Sequence, residues 1–143
     1  MNYTKDRFFV DTNLFVYAYD STAGLKWTTS KTILSSLWEN RTGVLSNQVL
    51  QEIFVSLTRK LGNAISIEAA KEIVSDLLLW SLVVNDGKSV LRAIDLQVQW
   101  GYSFWDSLIL QAAVAARADF LLTEDLQDGQ VIDGVTIVNP FLR

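Results

Sequence analysis

Short β-branched or aromatic runs alternate along this chain with amphipathic helical stretches. Arg7 to Val10 predicts a first strand, and Asn13 to Tyr19 a short helix after it. Trp27, Ile33, Leu34, Leu37 and Trp38 share one face of the next helix, with Gly43 expected to close it. Val44 to Ser46 reads as a second strand. Val49 to Leu61 follows as a helix whose stripe is Val49, Leu50, Ile53, Phe54, Leu57 and Leu61. Ser66 is the expected N-cap of a helix presenting Ile73, Val74, Leu77 and Leu78. Leu82 to Val84 is a third strand, and Asp86 caps a helix carrying Leu91, Ile94 and Val98. Ser103 opens an alanine-rich helix ending near Arg117; Phe120 to Leu122 and Val135 to Val138 are further strands. Strands alternating with helices imply an α/β fold with a parallel sheet covered on both faces. In such a sheet the ligand crevice lies beyond the carboxyl ends of the strands. Chemistry should therefore sit just after strands and at the starts of the following helices.

Composition narrows that chemistry. The 143 residues fit a single domain, and 50% apolar content supplies one ordinary core. Cysteine and histidine are both absent, which excludes disulfides, thiolate or imidazole metal sites and the Ser-His-Asp triad. Catalysis would have to run on carboxylates, hydroxyls, amides, Lys and Arg. The chain has no repeats and no linker-like tract, and its single proline is Pro140. Residues 1–9 lack the long apolar stretch of a secretory signal. The longest strongly apolar run, Leu77 to Val84, is far short of the ~20 residues that span a bilayer. A cytoplasmic protein without membrane attachment is expected. A net charge of −4 is unusual for a nucleic-acid protein, unless part of it belongs to a cation site.

Four acids stand where the sheet argument places chemistry. Asp11 directly follows the first strand, where it can also serve as a helix N-cap. Glu52 lies early in its helix, at the edge of the apolar stripe, where a carboxylate also complements the helix dipole. Asp106 stands three residues after Ser103, an arrangement close to a capping box. Asp125 belongs to the acidic stretch Thr123-Glu124-Asp125-Leu126-Gln127-Asp128-Gly129 after another strand, which also suits a solvated turn. Each acid has a structural explanation of its own. Those explanations do not account for their recurrence at equivalent places in successive units of one sheet. If they converge, each pair of charges ~4 Å apart costs ~1–4 kcal/mol. A divalent cation relieves that repulsion, and oxygen ligands alone select Mg²⁺ or Mn²⁺.

Phe9-Val10-Asp11-Thr12-Asn13, Leu45-Ser46-Asn47-Gln48-Val49-Leu50-Gln51-Glu52, Ser103-Phe104-Trp105-Asp106-Ser107-Leu108-Ile109 and Leu121-Leu122-Thr123-Glu124-Asp125-Leu126-Gln127 occur in that order. Together they resemble the PIN-domain family, and within it the VapC-like toxins of toxin–antitoxin pairs. The resemblance implies a three-layer α/β/α sandwich with a central parallel sheet of four to five strands. It implies that Asp11, Glu52 and Asp106 bind metal, with Asp125 as the fourth acid, Asp128 as a more distant contributor and Glu124 as a poorer candidate. Thr12 and Asn13 would shape the corner after the first strand. The implied activity is hydrolysis of RNA phosphodiester bonds with one or two Mg²⁺ or Mn²⁺ ions. The implied partners are the RNA substrate, a second copy in a homodimer, and a cognate antitoxin laid along an apolar groove.

Lys26, Lys31, Arg59, Lys60, Lys88 and Arg92 are candidate phosphate contacts, although ordinary surface solvation explains most of them. Trp27, Trp38 and Trp80 are expected in the core or a subunit interface; Trp105, beside Asp106, is expected in core packing, with lining the pocket as the alternative. A haloacid-dehalogenase-type phosphatase needs a second Asp two residues after the first, where this chain has Asn13. A DNA flap nuclease of related fold would carry long insertions and additional acids. The main alternative is a non-catalytic PIN module that binds RNA or protein.

Overall fold

All three residues of strand β1 (Phe8–Val10) are fully buried, as an apolar run without alternation requires of a central strand. The computed structural model, which describes residues 1–59 and 65–143, builds the fold outward from this strand. β1 leads through α1 (Thr12–Ala18) and α2 (Leu25–Asn40) to β2 (Gly43–Ser46), then through α3 (Asn47–Arg59) and α4 (Ile67–Leu77) to β3 (Ser81–Val83). Helices α5 (Gly87–Trp100) and α6 (Phe104–Ala115) return the chain to β4 (Phe120–Leu122). A hairpin of β5 (Val131–Ile132) and β6 (Val135–Val138) completes the sheet. Lys60 and Leu61 lie outside the described residues.

The sheet order is β3-β2-β1-β4-β6-β5, and every pairing is parallel except β5 with β6. The first two crossovers step away from β1 in one direction, and the third steps back past β1 to its other side. Because such crossovers are right-handed, that reversal puts α5 and α6 on the face opposite α1 to α4. Packing agrees: α5 lies against α6, while α1 packs on α2 and α3, and α3 on α4. This is the expected three-layer sandwich. Its sheet has six strands rather than four to five. The additional strand, β5, is two residues long and turns into β6 through Asp133 (φ 48°) and Gly134 (φ 87°). Asp-Gly between β-branched residues is a strong hairpin signal, because both turn residues need positive φ.

Gly43 does not end α2. The left-handed capping position belongs to Arg41 (φ 55°), and Gly43 is the first residue of β2. Its lack of a side chain serves packing instead. A Cβ there would lie 2.3 Å from one ring atom of Trp80 and 2.6 Å from another. The Trp80 ring is in turn wedged against Phe15 and Trp38. Gly43→Ala should therefore destabilise the protein by roughly 1–3 kcal/mol in urea unfolding. Gly87→Ala, where a Cβ meets nothing within 4 Å, should be neutral or slightly stabilising. Equal effects of the two changes would refute the packing role.

Candidate active site

The reversal of strand order leaves a crevice beyond the carboxyl ends of β1 and β4, the position where open α/β sheets bind ligands. Asp11 and Thr123, the residues that follow those two strands, meet there. The Thr123 hydroxyl donates to Asp11 Oδ2 at 2.8 Å, and the Thr12 N–H donates to Asp11 Oδ1 at 2.7 Å. Asp11 is thus both the cap of α1 and a carboxylate facing the crevice, and it is only 5% exposed. Burial is the largest influence on its acidity and pushes its pKa up to about 7. The two hydrogen bonds oppose that rise, and the charges of Asp125 and Glu52 add to it.

Each of the other three acids arrives from a different element. Glu52, from α3, accepts from the Thr12 hydroxyl at 2.7 Å and from the Gln48 carboxamide at 2.9 Å. Asp125, in the loop after β4, accepts from Asn13 Nδ2 at 3.1 Å. Asp106 stands in the first turn of α6, where the Ser103 hydroxyl accepts from its N–H at 3.1 Å. Burial raises the Asp106 pKa, a hydrogen bond with Ser103 opposes this, and the charges of Asp125 and Glu52 raise it further. Both perturbed acids therefore feel the same two neighbours, so Asp11, Glu52, Asp106 and Asp125 form one electrostatic cluster.

The two remaining acids face elsewhere. Glu124 accepts from Lys26 at 2.8 Å and from the Tyr17 hydroxyl. Asp128 accepts from Arg143 at 2.9 Å and from the Asn139 N–H at 2.8 Å. Lys26 also lies over the rings of Tyr17 and Phe141, and Lys31 over that of Trp27. Trp105 is 64% exposed and does not pack in the core. At the first turn of a helix whose later residues are buried, the indole is left open to solvent.

Among the described residues, no three acids are gathered closely enough to hold a metal ion as they stand. The donor chemistry nonetheless suits a hard cation. The cluster is all oxygen, and its hydrogen-bond donors are neutral hydroxyls, carboxamides and a peptide N–H. Two buried carboxamide oxygens beside it, Asn13 Oδ1 and Gln48 Oε1, have no hydrogen-bond partner.

The sequence profile of the PIN domain matches residues 7–127, which contain the whole cluster. The chain belongs to the PIN-domain family. Its fold is similar to that of the VapC20 toxin of Mycobacterium tuberculosis, which cleaves the sarcin–ricin loop. That likeness has a TM-score of 0.61 at 20% identity, covering 80% of this chain and 86% of that one. A chain of a toxin–antitoxin complex from Klebsiella pneumoniae matches with a TM-score of 0.66 at 20% identity, covering 92% and 96%. VapBC2 of Rickettsia felis, bound to a DNA fragment from its promoter, gives 0.62 at 19% identity, covering 91% and 96%. No curated protein sequence matches the chain significantly.

Two residues of this PIN domain's crevice were not singled out from sequence. Thr123 falls in a recognised motif but reveals its role only through the β1–β4 pairing, 112 residues apart in sequence. Gln48 was legible in principle, because a Gln four residues before a Glu on one helix faces it.

The buried Asp11 gives the metal-free PIN domain a definite pH dependence. Its folded pKa is about 7, above the ordinary 3.8, so the folded state holds this proton more tightly than the unfolded chain. The associated stability is fully present below pH ~4 and is lost as pH rises to ~7, by roughly 4 kcal/mol. Urea unfolding in EDTA should show that decline, and Asp11→Asn should flatten most of it. An unchanged slope in the variant would show that Asp11 is not the group responsible.

Proposed function

We propose that this PIN domain is a divalent-metal-dependent endoribonuclease, the toxin of a toxin–antitoxin pair acting in the cytoplasm. The observation that carries the reading is the cluster itself. Four acids from separate segments share one electrostatic environment at the sheet's switch point, and among the described residues every side chain that donates a hydrogen bond to Asp11, Glu52 or Asp125 is neutral. An acid as buried as Asp11 gives up its proton readily only beside a cation.

Asp11, Glu52, Asp106 and Asp125 would hold one or two Mg²⁺ or Mn²⁺ ions, which supply an acidified water and neutralise charge developing on the phosphate. Thr123 and the Thr12 N–H aim the Asp11 carboxylate. Thr12 and Gln48 aim Glu52, and Asn13 aims Asp125. The chain contributes orientation and negative potential, and it needs no imidazole base.

The antitoxin reading rests on the fold's likeness to chains of toxin–antitoxin complexes. It also rests on a largely apolar groove of about 400 Å³ between α1, α2 and α4, floored by Phe15, Leu34, Trp38, Ile73, Leu77 and Trp80 and edged by Lys31, Glu39 and Asp76. A homodimer suits the exposed apolar side chains Val90, Leu91, Ile94 and Val98 on α5. A non-catalytic PIN module is the second reading, and the incomplete gathering of the acids is what favours it.

Cleavage of a mixed structured RNA by wild type and by Asp11→Asn, in Mn²⁺ and in EDTA, decides between them. The nuclease reading expects cleavage that EDTA abolishes and that Asp11→Asn lowers at least a hundredfold, a loss of ~3 kcal/mol. Folded wild type that cleaves no RNA in Mn²⁺ would leave the binding module.

A further inference from the structure

Trp105 is the most exposed aromatic side chain among the described residues, at 64%. It occupies the first turn of α6, immediately before Asp106, with Phe104 edge-on at 5.1 Å. Its backbone is not free. Gln48, itself 6% exposed, donates one carboxamide to both the Trp105 carbonyl at 3.2 Å and Glu52 Oε1 at 2.9 Å. One buried side chain thus ties the Trp105 backbone to Glu52.

Two physical constraints give that indole a ligand. A chain of net charge −4 gains little affinity for RNA from phosphate contacts, and Lys26 is already paired with Glu124. Stacking of a base on an aromatic ring contributes roughly tenfold or more per base and needs no charge. Bases inside a duplex have no free face, so the ligand must be an unpaired one. Trp105 directly precedes Asp106 in the first turn of α6, with Cα atoms ~3.8 Å apart.

Resting on the ribonuclease reading, we infer that Trp105 is a stacking platform for one unpaired nucleobase beside the cleaved phosphodiester. The platform is a substrate-binding residue, and Gln48 positions it.

The test uses a fluorescein-labelled, unstructured oligoribonucleotide in Ca²⁺, with Kd read by anisotropy for wild type, Trp105→Phe and Trp105→Ala. Trp105→Ala should weaken binding about tenfold or more, and Trp105→Phe should retain most of it. The loss should be the same at about 50 and about 200 mM NaCl, because stacking releases no counterions. Replacing each base in turn by an abasic residue should find one position that costs wild type a similar factor and costs Trp105→Ala nothing.

The platform is overturned if Trp105→Ala binds like wild type, or if no abasic position is coupled to the indole. It is also overturned if the variant changes only the oligomeric state on a sizing column. Parallel cleavage assays in Mn²⁺ separate the two claims. Trp105-dependent binding without cleavage sinks the nuclease and keeps the platform. Cleavage indifferent to Trp105 sinks the platform alone. Wild type that neither binds nor cleaves RNA sinks both.

Discussion

The structure depends on the contact between Asp11 and Thr123. It joins the two strands between which the sheet reverses direction, and it buries a carboxylate with one hydroxyl and one peptide N–H as its donors. The backbone continues the ladder on either side. The Asp11 N–H donates to the Leu122 carbonyl, and the Thr123 N–H donates to the Val138 carbonyl. Side chains that follow β1, β4 and β6 are therefore held in register before any ligand is considered. A single buried acid with so few donors is costly, and the neighbouring acids increase that cost. The fold tolerates the strain because β1 is covered on both faces by an apolar core that includes Phe8, Phe9, Leu45, Leu121 and Ile137.

Charge is sorted with some care around this point. The hydrogen bonds that aim the four clustered acids come from neutral groups. Glu124 and Asp128, which pair with cations among the described residues, are turned away toward Lys26 and Arg143. Neutral donors can orient a carboxylate without cancelling its field. A lysine or arginine in the same place would satisfy the acid and remove its attraction for anything else. The negative potential is thereby concentrated at one place, the crevice.

Much of this was legible in the sequence, and what was not has identifiable causes. Local signals were reliable: Ser66, Asp86 and Ser103 cap the helices they were expected to cap. Strands β4 and β6 have the expected bounds, because β-branched and apolar runs between turn residues leave little choice. Gly43 was misread because a glycine near a helix end usually caps it, whereas here the deciding neighbour is Trp80, distant in sequence. The two-residue β5 is too short for periodicity, although Asp133-Gly134 marks its turn. Hydrophobicity favours the core for Trp105, whereas its place in the first turn of α6 leaves it in solvent. The acids stood out because they recur just after strands and near the starts of helices. Their partners Thr123 and Gln48 did not, because a hydroxyl or carboxamide carries no pattern until the topology supplies its neighbour.

The strand order also fixes a sequence of events. Asp11 and the hydroxyl that holds it are 112 residues apart, and β1 pairs with β4 only after both outer crossovers have been made. A chain leaving the ribosome exposes Asp11, and later Glu52, long before Asp106 and Thr123 have been translated. No nascent chain short of β4 can assemble the crevice, however well its first helices form. Whatever the crevice does, it does only after nearly the whole domain has been synthesised.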